Sequence, residues 1–299
     1  MYNGLAHLID DGFVKVMPLD LNGGFGWANN QALLMLFARE QPPEFVMLLN
    51  PDCTILPSSI KLLLDELLTN ENCAVAGSQL LNIDGSPTGS AFRFPTIGRE
   101  FVRGLGMDML GRLLCITPTV VTSEGPCEVD WVTGASCLIR TSALVDEGLF
   151  DDGFFLYFEE VELMFRLHQA GWVVCHVPES RVFHIGGAST GVSDSSSSVR
   201  EFPLYWFKSR RRFFTLAYGP LRAWWAGVAW LAGTVIGRWA ATIQPSRLDP
   251  TAAGNRRLLL SHGLKSSSDD SFSAIVRAGD DAGISPHWIG FSDGKDIET

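Results

Sequence analysis

Short apolar runs that end in Gly, Asn, Asp or Pro alternate with helical patterns along the first two thirds of this chain. This alternation is typical of an α/β protein, in which a sheet is flanked by helices. We therefore predict a Rossmann-like mixed sheet. The predicted strands are Val14–Leu19, Phe45–Leu49, Ala74–Ser78 and Trp172–Val177, and the predicted helices are Ala28–Arg39, Ser58–Thr69 and Phe158–Ala170.

Between the third and fourth of these strands, the region from Asn82 to Pro126 is rich in Gly and Pro and predicts an irregular loop. So long a loop inside a domain usually closes over or binds a ligand. From Asp130 to Ile139 the apolar pattern returns and predicts a further strand of the sheet.

The charge of the chain excludes one class of partner. The 299 residues carry a formal net charge of −10, whereas a nucleic-acid binder needs clustered Lys and Arg for the phosphate backbone.

The six cysteines form no Cys-x-x-Cys pair, which argues against a zinc site and favours a reducing, cytoplasmic compartment. The first residues lack the apolar run with a basic flank that is typical of a secretory signal.

Asn50-Pro51-Asp52 stops a wholly apolar run, and His184 follows a second strand-like segment, Ser180–Phe183. In open α/β sheets ligands bind beyond the carboxyl ends of the strands. A carboxylate there can hold a divalent cation, and an imidazole beside flexible glycines can complete the site or contact a phosphate. The alternatives are a simple turn for the triplet and a hydrogen-bonded loop residue for His184.

Glu159 and Glu160 stand at the start of a predicted helix. At 100° per residue Glu160 falls in one stripe with leucines, whereas Glu159, Glu162 and Arg166 share the opposite, solvated side. A carboxylate among leucines is a candidate general base with a raised pKa. The alternatives are a helix-start carboxylate that caps backbone groups, and a helix dipole that favours the anion.

The segment Asn22–Asn30 contains three glycines but departs from a dinucleotide fingerprint, because Asn29 stands where the third glycine is required. It predicts instead a turn into a helix. The free N–H groups at the start of that helix could face a phosphate or a nucleotide.

Together these segments resemble the family 2 glycosyltransferases of the GT-A fold, in particular the bacterial rhamnosyltransferase-like subset. The resemblance covers roughly residues 1–215. It is carried by five segments in the same order: Asn22–Asn30, Leu48–Asp52, Trp131–Ala135, Phe154–Leu163 with Arg166, and His184–Ser189.

The resemblance implies an inverting transfer from a nucleoside-diphosphate sugar to a polysaccharide or lipid-linked acceptor, with Mn²⁺ or Mg²⁺ as the divalent cation. Asp52 stands at the family's metal-binding aspartate, and His184 would assist the metal or the diphosphate. Glu160 stands at the catalytic base, where the family more often has Asp, with Glu159 as its acidic neighbour. The residues implied in donor or acceptor binding are Asn22, Gly24, Asn29, Asn50, Trp131, Thr133, Gly134 and Arg166.

One departure affects the expected activity. The family opens with a strand–helix–strand unit that binds the nucleobase, and this sequence corresponds to the part after it, with Val14–Leu19 as the family's third strand. The alternative to an active transferase is therefore a non-catalytic remnant or partner subunit with the same fold.

Three regions are predicted: an incomplete transferase core at 1–200, a basic and Trp-rich helical segment at 201–245, and an acidic, partly disordered tail at 246–299. The second contains Arg210, Arg211 and Arg212 before the charge-free run 223–237. We predict that this segment lies on a membrane surface. The alternatives are a spanning helix with Arg238 at its edge and a helix packed on the core. The expected location is peripheral, on the cytoplasmic face of the cell membrane.

Overall fold

A computed structural model describes residues 14–106, 116–185, 202–243, 252–264 and 276–277. Strands and helices alternate along the chain, as predicted. The strands are β1 Leu21–Asn22, β2 Phe45–Leu49, β3 Cys53–Ile55, β4 Cys73–Leu81, β5 Ala91–Phe92, β6 Val120–Val121, β7 Cys127–Val129, β8 Trp131–Val132, β9 Ser136–Arg140, β10 Val173–His184 and β11 Val276–Arg277. The helices are α1 Gly24–Phe37, α2 Ser59–Thr69, α3 Ile97–Leu105, α4 Thr141–Glu147, α5 Glu159–Gln169, α6 Leu204–Tyr218, α7 Pro220–Ile243 and α8 Ala252–Leu258, which continues into a π-helical turn at Leu259–Gly263.

The central sheet is mixed. Its strand order is β2-β9-β4-β10-β3, and β7 also pairs with β10. The long strand β10 runs parallel to β4 and antiparallel to β3 and β7. A small second sheet has the order β6-β5-β8. The prediction of a mixed sheet flanked by helices is confirmed.

Helices cover both faces of the sheet. Leu63 and Leu67 of α2 pack on one face. The other face carries Leu33 of α1, Leu144 of α4 and Leu163 of α5, among others. Burial of these side chains stabilises the layers at roughly 25 cal/mol per Å² of apolar surface.

An aromatic cluster joins α5 to the C-terminal helices. It contains Phe158, Trp206, Phe213 and Trp230, all almost fully buried. Helix α3 crosses α7 at close range, because a Cβ on Gly104 would lie 2.2 Å from the carbonyl oxygen of Trp230. The basic and Trp-rich segment therefore packs on the core through one of its faces.

Two local predictions were wrong. Val14–Leu19 is not a strand and pairs with none of the described strands. The predicted loop Asn82–Pro126 contains β5, β6 and helix α3. Thr96 caps α3 by accepting a hydrogen bond from the Arg99 N–H, and the left-handed Gly106 ends it.

The arginine triplet of the segment predicted to lie on a membrane is engaged within the protein. Arg210 is fully buried and pairs with Glu100, with Nε 2.6 Å from Oε2. Arg211 donates to the Gly263 carbonyl at 3.1 Å, and Arg212 pairs with Asp151 at 2.7 Å. These acids and carbonyls lie far away in sequence, so the pattern of basic residues alone could not reveal them.

Within the described residues, no helix combines the length and apolarity needed to cross a membrane. Of the predicted acidic tail, the structure describes the helical residues 252–263 and the short strand β11, which pairs with β1. The remainder of that tail, and residues 186–189 of the predicted His184 loop, lie outside the described residues.

Candidate functional site

Asp52 and His184 meet at the edge of the central sheet, as their positions at strand ends predict. Cys53 and His184 are directly opposed in the β3–β10 pair, and the Ile185 N–H donates to the Asp52 carbonyl at 3.1 Å. This pairing brings Asp52 Oδ1 within 3.3 Å of His184 Nε2. Both side chains are about one-fifth exposed, so a ligand from solvent can reach them.

Cys53 is the third member of this cluster, which we call the cation cluster. The ligand atoms of Asp52, Cys53 and His184 all lie within 4.8 Å of one another. Sequence reasoning missed Cys53, although its place directly after Asp52 was a signal. Burial and the charge of Asp52 raise the pKa of the Cys53 thiol to about 11, so the thiol is neutral near pH 7 when no cation is bound.

The donor atoms of this cluster suit a divalent cation. Carboxylate oxygen and imidazole nitrogen are ligands that Mn²⁺ accepts, whereas a thiol is a poor ligand for Mg²⁺. The chemistry of the residues therefore fits Mn²⁺ better than Mg²⁺.

A turn connects the cation cluster to the acidic pair at the start of α5. The Asn50 N–H donates to the Ala135 carbonyl at 2.9 Å, and the Cys53 thiol donates to the same oxygen at 3.5 Å. The preceding residue, Gly134, lies beside the start of α5, since a Cβ built on it would be in ordinary van der Waals contact with the Cβ of Glu160, at 3.9 Å. Residues 134 and 135 thus lie between the two groups: Ala135 is bonded to Asn50 and Cys53, and Gly134 is next to Glu160.

In the acidic pair, the residue predicted to be solvated, Glu159, is the more buried one. Glu159 is only 2% exposed, and Glu160 is partly buried. Burial raises the pKa of Glu160 to about 7, although backbone N–H groups at the helix start act in the opposite direction. Burial and the charge of Glu160 raise the pKa of Glu159 as well. Oε2 of each residue has no hydrogen-bond partner among the described residues, so Glu160 can accept a proton from a ligand.

The division of α5 into an apolar and a solvated side was wrong. Glu162 is only 6% exposed, and Arg166 donates to Glu162 Oε1 at 2.7 Å. Arg166 also donates to the carbonyl of Glu147 and, at 2.7 Å, to that of Leu149. Helix α5 is buried on two sides because the sheet covers one face and α6 covers another. Arg166 therefore positions the turn before Phe150 and does not line the cavity described next.

Glu160 lines a cavity of about 420 Å³. Trp131 forms part of its wall, stacks on Phe92 with ring centroids 4.2 Å apart, and donates from Nε1 to the Arg93 carbonyl at 3.3 Å. Thr133 supports this wall, since its N–H donates to the Ser90 carbonyl at 3.1 Å. Other lining residues include Arg99, Glu100, Arg103, Ile116, Thr117, Tyr157, Phe158, Val161 and Trp206. Aromatic faces beside a carboxylate suit a ligand with an apolar part and a hydroxyl group.

Two N–H groups at the start of α1, which were predicted to be free for a ligand, already donate hydrogen bonds within the protein. Asn22 Oδ1 accepts the Gly24 N–H at 3.1 Å, and the Phe155 carbonyl accepts the Phe25 N–H at 3.2 Å. Gly24 has φ +82°, and a Cβ on it would lie 1.6 Å from the Phe155 carbonyl oxygen, so only glycine fits. Asn29 Nδ2 donates back to the Phe25 carbonyl at 2.9 Å. These residues hold the loop before Glu159.

Sequence reasoning missed other residues that position this loop. Asn30 Nδ2 donates to the Phe150 carbonyl and to Asp152 Oδ1, both at 2.8 Å. At the end of the loop, Tyr157 and Phe158 both have left-handed backbone conformations, with φ 69° and 70°. Such conformations are strained for bulky residues and persist only where their surroundings hold them. The loop thus fixes where α5 begins and where Glu160 points.

Comparisons with known proteins agree with this geometry. The chain is 31% identical over 197 residues to N-acetylglucosaminyl-diphospho-decaprenol L-rhamnosyltransferase of two Mycobacterium tuberculosis strains, a match that covers 61% of this chain and 62% of the relative. It is 28% identical over 174 residues to the rhamnosyltransferase WbbL of Escherichia coli K12, covering 54% of this chain and 60% of that protein. The chain therefore matches only about three fifths of the length of each relative.

Among solved structures, GalNAc-T7 with UDP, GalNAc and Mn²⁺ matches with a TM-score of 0.51 and 16% identity, over 88% of this chain and 46% of that one. At this identity the match concerns the fold alone. No family model matches the chain. The chain is therefore similar to rhamnosyltransferases over about three fifths of its length, and its mixed α/β fold matches that of a GT-A glycosyltransferase.

Proposed function

We propose that the chain is an inverting glycosyltransferase that moves rhamnose from a nucleoside-diphosphate sugar to a saccharide or lipid-linked acceptor. The observation that carries this proposal is that Gly134 and Ala135 lie between the cation cluster and the partly buried Glu160. The rhamnosyltransferase relatives support the choice of sugar. The relative from M. tuberculosis, by its name, supports a diphosphate-linked acceptor.

In this proposal Asp52 and His184 hold the divalent cation, which stabilises the negative charge of the departing nucleoside diphosphate when it is bound. The GT-A neighbour that was solved with UDP and Mn²⁺ supports this choice of cofactor. Asn50 and Gly134 border the donor side, while Trp131 and Thr133 form the wall on the acceptor side.

Glu160 is the proposed base. Its raised pKa makes it able to take the proton of an acceptor hydroxyl as the oxygen attacks the anomeric carbon. The bond between that carbon and the diphosphate breaks at the same time, and the nucleoside diphosphate leaves. Glu159 is its acidic neighbour, whose own pKa is raised by burial and by the charge of Glu160. Asn22, Gly24, Asn29 and Arg166 act by positioning the loop and turn around α5.

Incubation of the full chain with Mn²⁺, nucleoside-diphosphate rhamnose and a diphosphate-linked N-acetylglucosamine acceptor tests the proposal. We expect a rhamnosylated acceptor in the mass spectrum and one nucleoside diphosphate released for each sugar transferred. A folded chain that forms no product with any donor of this class would instead favour the non-catalytic alternative.

We further propose that α7 holds the protein on the cytoplasmic face of the membrane. Large exposed apolar side chains recur on α7 every three or four residues or after whole numbers of turns, so they form a stripe along one face of the helix. Trp239, in this stripe, is 76% exposed. Arg222 and Arg238, both exposed, flank the stripe and complement anionic lipid headgroups. The stripe consists of Leu221, Trp224, Trp225, Val235, Ile236 and Trp239.

The five free cysteines of the described residues accord with a reducing compartment.

Replacement of Trp225 and Trp239 by Glu is expected to reduce binding to vesicles that contain phosphatidylglycerol by more than about tenfold, because two interfacial anchors are lost and repulsion is added. Co-sedimentation with vesicles measures this effect. Leu68→Glu, which changes an equally exposed apolar residue on α2, is the matched control and should bind like the wild type. Equal binding of all three proteins would refute the proposed membrane face.

A further inference from the structure

The cation cluster contains a ligand atom that the proposed transfer does not need. Asp52 and His184 supply an oxygen and a nitrogen, and Cys53 adds a sulfur within 4.8 Å of both. A thiolate is a soft ligand that binds Zn²⁺ and Co²⁺ well and Mg²⁺ poorly. We propose that Cys53 is a third protein ligand and that the cluster binds Zn²⁺ or Co²⁺ more tightly than Mn²⁺ or Mg²⁺. The inference rests on the proposed function only in taking Asp52 and His184 as cation-binding residues.

The geometry agrees with a small tetrahedral ion. Two ligands that each lie about 2.0–2.1 Å from Zn²⁺ at a tetrahedral angle are about 3.3 Å apart. Asp52 Oδ1 and His184 Nε2 are 3.3 Å apart. A thiol is a weak hydrogen-bond donor, so the bond of Cys53 to the Ala135 carbonyl at 3.5 Å opposes a movement of its sulfur toward an ion only slightly.

The backbone presents these three residues together. The antiparallel register places Cys53 and His184 opposite each other, and Asp52 is tied to the same strand pair through the Ile185 N–H at 3.1 Å. All three side chains are partly exposed, so an ion can enter without unfolding. On binding, the Cys53 thiol loses its proton to solvent and the sulfur forms the bond to the metal.

Three protein ligands leave fewer open positions than two. A tetrahedral ion held by Asp52, Cys53 and His184 keeps one position for an outside ligand. We therefore expect Zn²⁺ to compete with Mn²⁺ for the site and to lower the rate of the Mn²⁺-dependent reaction.

Titration of the full chain with Co²⁺, without any sugar donor, tests the inference independently of catalysis. We expect the intense near-ultraviolet absorption of a thiolate bound to Co²⁺ and its disappearance in Cys53→Ser. Cys127→Ser, which changes another half-buried free cysteine on β7, should keep the band. Absence of the band in the wild type, or its loss in Cys127→Ser but not in Cys53→Ser, would overturn the assignment.

Metal affinities measured by competition with a chromophoric chelator show how much Cys53 contributes to Zn²⁺ binding. Cys53→Ser should weaken Zn²⁺ binding by about 100-fold or more, since even indirect partners of metal ligands are worth 10–100-fold, and should change Mn²⁺ binding far less. In the wild type, Zn²⁺ should also protect Cys53 from alkylation, as peptide mapping can detect without any variant. Equal Zn²⁺ affinity in both proteins and no protection would contradict the inference, whether or not the chain transfers sugar.

Discussion

Glu160→Gln is expected to lower the rate of sugar transfer by about 10²–10⁴-fold, the contribution typical of a general base. The amide keeps the shape of the side chain but cannot accept the acceptor's proton. Measurement of kcat with saturating donor and acceptor tests this effect. Glu128→Gln, which neutralises an exposed acid on β7, is the matched control and should retain the wild-type rate. A Glu160→Gln protein within tenfold of the wild type would remove Glu160 from its proposed role.

The same substitution should make the protein more stable at high pH. Folding raises the pKa of Glu160 from its usual 4.5 to about 7, so the native state binds more protons than the unfolded state between these values. The stability of the wild type therefore falls as pH rises from about 4.5 to 7 and remains lower above it. Gln does not ionise, so the stability of Glu160→Gln does not fall in this way. The Tm of Glu160→Gln should therefore exceed that of the wild type by on the order of 5 °C at pH 8. At pH 4.5 the difference should vanish.

Asp52→Asn is expected to raise the Mn²⁺ concentration required for half-maximal transfer by about tenfold or more, because an amide oxygen carries no charge to hold the cation. His184 then remains as a ligand opposite a neutral side chain. Because the cation is held less well, the maximal rate of transfer should fall as well. Titration of the reaction with Mn²⁺ measures both effects. Asp65→Asn, at an exposed pair with Lys61 on α2, should leave the titration unchanged. An unaltered Mn²⁺ titration in Asp52→Asn would exclude Asp52 from the cation site.

The sheet and the cation cluster were largely predictable, because both depend on local patterns. An apolar run that stops at Asn50-Pro51-Asp52 and a second run that ends at His184 indicate strand ends, and strand ends of one sheet converge. Helix α3 was missed for the opposite reason: Gly98 and Gly104 indicate a loop, yet Gly104 is where the helix must approach Trp230. Tertiary contact outweighed local propensity there.

The surroundings of charged residues could not be predicted, because they depend on partners distant in sequence. Glu162 and Arg210 have the pattern of solvated residues, but α5 and α6 are covered on more than one side, and Arg210 meets Glu100 of α3. For Glu160, the periodicity predicted an acid in an apolar place but left open whether burial or the helix start would control its pKa. Burial has the larger effect.

The pH dependence of transfer tests the central claim most directly, namely that the partly buried Glu160, linked to the cation cluster through Gly134 and Ala135, is the base. With Mn²⁺, donor and acceptor saturating, the wild-type rate should rise about tenfold for each pH unit below the inflection and level off above about pH 7. Glu160→Asp should remain active with a displaced inflection, and the residual rate of Glu160→Gln should lack it. A wild-type rate that is constant from pH 5 to pH 8, or an inflection that persists in Glu160→Gln, would contradict the account.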